Sequence, residues 1–231
     1  MAADDLTTWW QNLGWEWQYQ FMQAAGLRHE PDENELVKIL QLETIRIVDF
    51  PPSQQAVIET VKPLAGLKRL GTVDCSNTAI DDVSALGKTN LHVLICRHTP
   101  FETLDSLTEL ASLREIDFSF THITSLEPCR ALRQLRSVAV NGCSVYTLEP
   151  LFDLRELEYL SCRSTKIVTL EPLKYHGNLK YLDCSGTFID SLEGIFFLEE
   201  LRELRCPVDF LSEEEILYFQ YLHPMCRIVA G

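Results

Sequence analysis

The chain has 231 residues and a formal charge of −14, with 34 acidic against 20 basic side chains. That balance argues against nucleic acid as a partner, since phosphate-backbone binding depends on clustered Lys and Arg. Apolar residues make up 46%, ordinary for a folded chain, and no uncharged apolar run is long enough to predict membrane insertion.

The N-terminus, MAADDLTTWW, has no basic segment followed by an apolar core, so no secretory signal is expected. Trp9, Leu13, Trp17 and Phe21 fall at four-residue spacing, which predicts one amphipathic helix ending near Gly26. Asp32 is placed to cap a second short helix through about Leu40. These elements, residues 1–41, predict a helical cap over the N-terminal end of the core.

From Leu42 the chain repeats. Central strand residues are expected at Ile45, Val73, Leu94, Ile116, Val138, Leu160, Leu182 and Leu204, at intervals of 28, 21 and then 22 residues. Leucine stands three residues before each, from Leu42 to Leu201. Seven residues after come Ile80, Phe101, Ile123, Val145, Ile167 and Ile189. Stacked copies of such positions build one core that no single repeat could bury. Each fully buried Leu or Ile contributes about 1.5–3 kcal/mol, so several must stack to outweigh chain entropy.

Cys75, Cys96, Cys162, Cys184 and Cys206 share one register with Phe118 and Val140, which makes them core fillers. No C-x-x-C pair is present, so no metal is expected. Eight cysteines without a leader point to reduced thiols and a cytoplasmic location. Thr78, Thr99, Thr121, Cys143, Thr165 and Thr187 stand where the strand turns away, suited to bonding the freed backbone. Glu127-Pro128, Glu149-Pro150 and Glu171-Pro172 then open short helical turns, the proline at a first helical position and the acid at a positive end. That role accounts for the acidic column without calcium.

The interval of 28 contains SQQAVIETV, long enough for a helical turn or two. At the far end Ser212 and Glu215 predict a capping box before ILYFQYL, with Pro224 as the stop and a last strand over Cys226–Val229. Residues 42–208 are thus read as about eight repeat strands and 209–231 as a C-terminal cap, all one continuous domain.

The motif in its best copies, L-x-x-L-x-C-S-x-T-x-I-x-x-L-E-P-L, recurs from Leu42 to Cys206. It resembles the leucine-rich repeat family, specifically the short-repeat subclass that includes phosphatase-regulating scaffolds and bacterial internalin-type proteins. Threonine at the corner, where asparagine is commoner, is the one departure. The resemblance implies an α/β solenoid: a right-handed superhelix with a parallel concave β-sheet and short 3₁₀ or irregular convex turns.

Residues flanking each strand centre alternate outward onto the concave face. Eight strands about 4.8 Å apart span roughly 34 Å, enough for a protein footprint. The predicted partner-binding residues are Ile95, Arg97, His98, Asp117, Phe120, Tyr159, Arg163, Tyr181, Asp183 and Arg205. Tyr, Phe and Arg among them are types favoured at interface hot spots. The six histidines form no H-x-x-x-H pattern, and no glycine-rich phosphate loop or nucleophile elbow occurs. The expectation is therefore a monomeric, non-catalytic module that binds a protein partner, without cofactor. A regulator or inhibitor of a specific enzyme and an internalin-like surface adhesin are the alternatives.

Overall fold

The computed structural model describes residues 3–50 and 56–231. Among the described residues, nine short strands form a single parallel sheet in strict chain order. They are β1 Thr44–Arg46, β2 Thr72–Asp74, β3 Val93–Ile95, β4 Glu115–Asp117, β5 Ser137–Ala139, β6 Tyr159–Ser161, β7 Tyr181–Asp183, β8 Glu203–Cys206 and β9 Arg227–Ala230. Pairing from β1 to β8 is in register, each central residue beside the next, from Ile45–Val73 to Leu182–Leu204. Register follows from the pattern: a one-residue slip would swap the buried and outward faces of a strand.

Every expected strand centre is fully buried, as are the residues seven positions on. The convex side is made of 3₁₀ turns at Lys62–Gly66, Ser84–Leu86, Asp105–Leu107, Glu127–Ala131, Glu149–Leu151, Glu171–Leu173 and Glu193–Ile195. A repeat this short leaves no room for a longer helix. The acids do stand first in five of these turns, but the side chain that satisfies the turn lies two residues earlier. Ser125, Thr147, Thr169 and Ser191 accept from the backbone N–H of Glu127, Glu149, Glu171 and Glu193 at 3.1–3.2 Å. At the strand exits, Thr78, Thr99, Thr121, Thr165 and Thr187 each donate to the carbonyl three residues back, at 2.5–2.7 Å. Cys143 donates its thiol instead to Phe118 O, at 3.2 Å.

Three expectations need correction. The N-terminal aromatics sit on two helices, α1 Ala3–Gln11 and α2 Trp15–Ala25, because Gly14 is extended at ψ 147° and turns the chain between them. Trp10 of the first helix and Trp17 of the second are both buried in the core cluster. The interval of 28 residues holds no helix over 56–61; its turn is the Lys62–Gly66 3₁₀ segment, and Ser53–Gln55 lie outside the described residues. The C-terminal helix, α4 Glu213–Leu222, has only half a capping box: Ser212 accepts from Glu215 N–H, while the Glu215 carboxylate is taken elsewhere. By contrast α3, Glu33–Leu40, has both arms of its box between Asp32 and Glu35, and Gly26 closes α2 at φ 69°.

Buried Gln20 closes the first edge of the solenoid. Its Nε2 donates to Val48 O and its Oε1 accepts from Val48 N–H, both at 2.9 Å. Inner repeats satisfy the equivalent carbonyl with the backbone of the preceding repeat, as Asn77 N–H does for Arg97 O. Gln20 supplies that missing donor, so this edge carbonyl is not left orphaned. At the other end β9 pairs with β8, and Phe219 of α4 buries against Phe196 of the last turn.

Candidate functional site

The in-register sheet turns the repeat into three columns on the concave face. One residue before each strand centre, Tyr159 and Tyr181 are direct neighbours, with ring centroids 4.4 Å apart and planes 3° from parallel. One residue after each centre runs the column Asp74, Ile95, Asp117, Ala139, Ser161, Asp183, Arg205. Asp117 and Asp183 keep only 5% and 6% of their surface, because neighbouring columns wall them in. They are the floor of the face, and Tyr159, Phe120 and the arginines are its rim.

Charged groups placed so low need partners. Asp117 accepts the backbone N–H of Ser119 on Oδ1 and Nε of Arg97 on Oδ2, at 2.9 and 2.6 Å. Asp183 accepts Ser185 N–H and Oγ–H on Oδ1, at 3.0 and 2.6 Å. Asn141 ties three repeats together: its Nδ2 donates to Ser119 Oγ, and its Oδ1 accepts from Ser161 Oγ and Arg163 N–H. Arg205 is held by Glu203 Oε1 at 2.8 Å and lies 5.9 Å from the Tyr181 ring centre. Burial first, then the Asp183 carboxylate, pushes the Tyr181 hydroxyl up to about 12, so it stays a proton donor at neutral pH.

Four residues after six of the eight strand centres, from Val73 to Leu182, the backbone enters the left-handed region. Asn77, His98, Phe120, Gly142, Ser164 and Gly186 have φ between 53° and 67°. Glycine and asparagine tolerate this conformation; a phenylalanine there costs about 1–2 kcal/mol. His98 and Phe120 nevertheless occupy it, stacked with centroids 4.7 Å apart and planes 5° from parallel. Phe120 is 54% exposed, so burial does not repay the strain.

Two recesses meet at this cluster. One, of about 540 Å³, is lined by Arg97, His98, Asp117, Phe120, Asn141 and Tyr159 among others. The second, of about 410 Å³, is lined by Phe120, Asn141, Tyr159, Arg163, Tyr181 and Asp183 among others. Eight of the ten predicted residues line one or both, while Ile95 and Arg205 line neither. Asn141, Ser119 and Gly142 were not among the predicted residues. Their signal was the recurring Asp-x-Ser triplet, at 74–76, 117–119 and 183–185, and the glycine column beside it. Cys96 and His98 point apart, the first into the core and the second to solvent. Among the described residues, no group of three or more His, Cys, Asp or Glu is placed to hold a metal ion, and no helix is long and apolar enough to cross a membrane.

No family model and no curated protein sequence matches the chain. Solved structures do. Internalin C2 of Listeria monocytogenes superposes with a TM-score of 0.78 at 19% identity, over 94% of this chain and 92% of that one. This is a leucine-rich-repeat solenoid. A second Listeria monocytogenes internalin, internalin F, matches with a TM-score of 0.67 at 19% identity over 76% of this chain. A leucine-rich-repeat protein of Leptospira interrogans matches at 0.64 and 17% identity over 85%. The chain spans about half the length of these last two, 53% and 56%. The shared feature is the leucine-rich-repeat fold itself.

Proposed function

We propose that the chain is a non-catalytic module that binds a protein partner on its concave leucine-rich-repeat face, centred on His98, Phe120, Tyr159 and Tyr181. The observation that carries this reading is the left-handed backbone at Phe120 combined with its exposure. Glycine would serve the fold at that position, as Gly142 and Gly186 do in later repeats. Strain retained at an exposed aromatic is the mark of a residue kept for contact. Exposed aromatics beside arginines, above a floor of satisfied polar groups, form the arrangement in which truncating a few side chains removes most of the binding energy.

The thiols on the core ladder suit a reducing compartment, and a cytoplasmic location for a monomer is part of the same proposal. Cell fractionation and light scattering test those two points.

The central test is affinity capture from the source cell, with the captured protein identified and then purified. Phe120→Gly and Tyr159→Ala are each compared with the wild type and with Phe197→Ser, an exposed change on the convex side. Loss of at least about tenfold in affinity for the two concave variants alone supports the reading. Equal binding by all four overturns it. If the partner is an enzyme, its rate at saturation tells whether the module also regulates it.

A further inference from the structure

Three repeats place an aspartate one residue after the strand centre, and all three use Oδ1 alike. Asp74, Asp117 and Asp183 accept the backbone N–H two residues on, from Ser76, Ser119 and Ser185, at 3.1, 2.9 and 3.0 Å. The second oxygen separates them. Oδ2 of Asp117 receives Arg97 Nε at 2.6 Å, and Oδ2 of Asp74 faces Arg46 Nε at 3.4 Å. Arg163 precedes Asp183 by the same 20 residues that separate Arg97 from Asp117 (183 − 163 and 117 − 97). It makes no ion pair with any described residue, and Asp183 Oδ2 accepts nothing from them.

Asp183 lines the 410 Å³ recess, whose walls also include Phe120, Tyr159, Tyr181 and Arg163. A carboxylate withdrawn from water favours a cation more strongly than an exposed one does. Arg205, the register partner of Asp183 on the next strand, is hydrogen-bonded to Glu203 and not to Asp183.

We infer that this recess is a seat for one arginine or lysine side chain of the protein partner, taking at Asp183 the place that Arg97 takes at Asp117. The inference rests on the concave-face proposal and names the chemistry of the partner: a segment with a projecting cation, complementary to a chain of charge −14. An arginine fits better than a lysine, since its planar fork offers N–H groups to Oδ2 as Arg97 offers Nε to Asp117.

The test uses the full ¹⁵N-labelled chain and a small probe, Nα-acetyl-arginine amide, beside the neutral isostere Nα-acetyl-citrulline amide. Chemical-shift changes are expected to cluster at Tyr159–Arg163 and Tyr181–Ser185, to saturate with the arginine probe in the millimolar range, and to be absent with citrulline. Asp183→Asn keeps an acceptor for Ser185 and is expected to weaken the response at least about tenfold, the loss of one buried charge pair; Glu171→Gln on the convex side is expected to leave it unchanged. Equal shifts from both probes, shifts scattered over the acidic surface, or no shifts overturn the inference without reference to any variant. So does a response that emerges only in Arg163→Gln, which would mean that Arg163 fills the seat from within. Failure here leaves the Phe120 dependence of partner capture standing, so the two readings fail separately.

Discussion

The ring of Phe120 lies over Gly142, its neighbour one repeat on: a Cβ built at Gly142 would come within 2.7 Å of Phe120 Cδ1. Both residues have positive φ, but only one is a glycine. The pair predicts opposite effects on stability. Phe120→Gly removes about 1–2 kcal/mol of backbone strain and gives up a stacked contact with His98 of about 0.5–1.5 kcal/mol. The urea midpoint is therefore expected to stay within experimental scatter of the wild type while partner binding falls. Gly142→Ala adds strain and pushes the ring away, and is expected to cost about 1–2 kcal/mol. A Phe120→Gly chain that unfolded much more readily would assign the phenylalanine to the fold instead.

His176 stands where Leu110, Leu132, Leu154 and Leu198 stand in other repeats. It is fully buried, with Nδ1 3.1 Å from Leu173 O and Nε2 3.0 Å from Leu151 O. Neutral imidazole donates to only one of these carbonyls. Burial outweighs their pull on a proton and holds the group below its ordinary 6.5. The unfolded chain then binds the proton more tightly than the folded one. This site's contribution to stability is complete above about pH 6.5 and declines as pH falls toward the folded value. His176→Leu is expected to flatten the loss of Tm between about pH 7 and pH 5 relative to wild type. Parallel curves for the two proteins would remove His176 as a source of acid sensitivity.

What was legible in the sequence was whatever recurs. The strand centres, the leucines before them, the cysteine ladder and the threonine corners each appear five or more times at one spacing, so local chance cannot imitate them. What was not legible depended on a single distant partner. The four-residue aromatic spacing runs through Gly14 without interruption, so the pattern itself carries no sign of the bend there. Ser212 and Glu215 satisfy the capping pattern, yet Glu215 is claimed by another repeat. The candidate site was half visible: outward alternation put Tyr159 beside Tyr181, but the pairing of Arg97 with Asp117 joins two different columns. The strain at Phe120 was signalled only by the Asn77, Gly142 and Gly186 column, which becomes meaningful once the backbone angle is known.

Seven of the eight cysteines are buried and Cys226 is partly exposed. Burial pushes Cys129 and Cys162 up to about 12, and Cys206 and Cys226 to about 11. The Cys75 and Cys96 sulfurs touch at 2.7 Å inside the core. Since the thiolate is the reactive form, these thiols should be sluggish in the native chain, and burial alone shields Cys75. A thiol-reactive dye is expected to label Cys226 slowly and the rest only in denaturant, where all eight react. Rapid native labelling of Cys162 or Cys184 would show that the middle of the solenoid opens on the time scale of the reaction.

Glu215 ties the C-terminal helix to the last convex turn: its Oε1 accepts from Ser191 Oγ at 2.8 Å and from Leu192 N–H at 2.6 Å. Leu192 is fully buried, so no water replaces the lost acceptor. Glu215→Ala leaves that N–H unpaired, at a cost of about 1–3 kcal/mol. In a repeat array such a loss is felt at the nearest end first, because each repeat is held only by its neighbours. Hydrogen exchange is therefore expected to quicken over α4, β9 and β8, while β3 to β5 keep wild-type protection. Uniform acceleration across the sheet would mean that the solenoid unfolds as one unit, and that the cap is as essential to its middle as to its end.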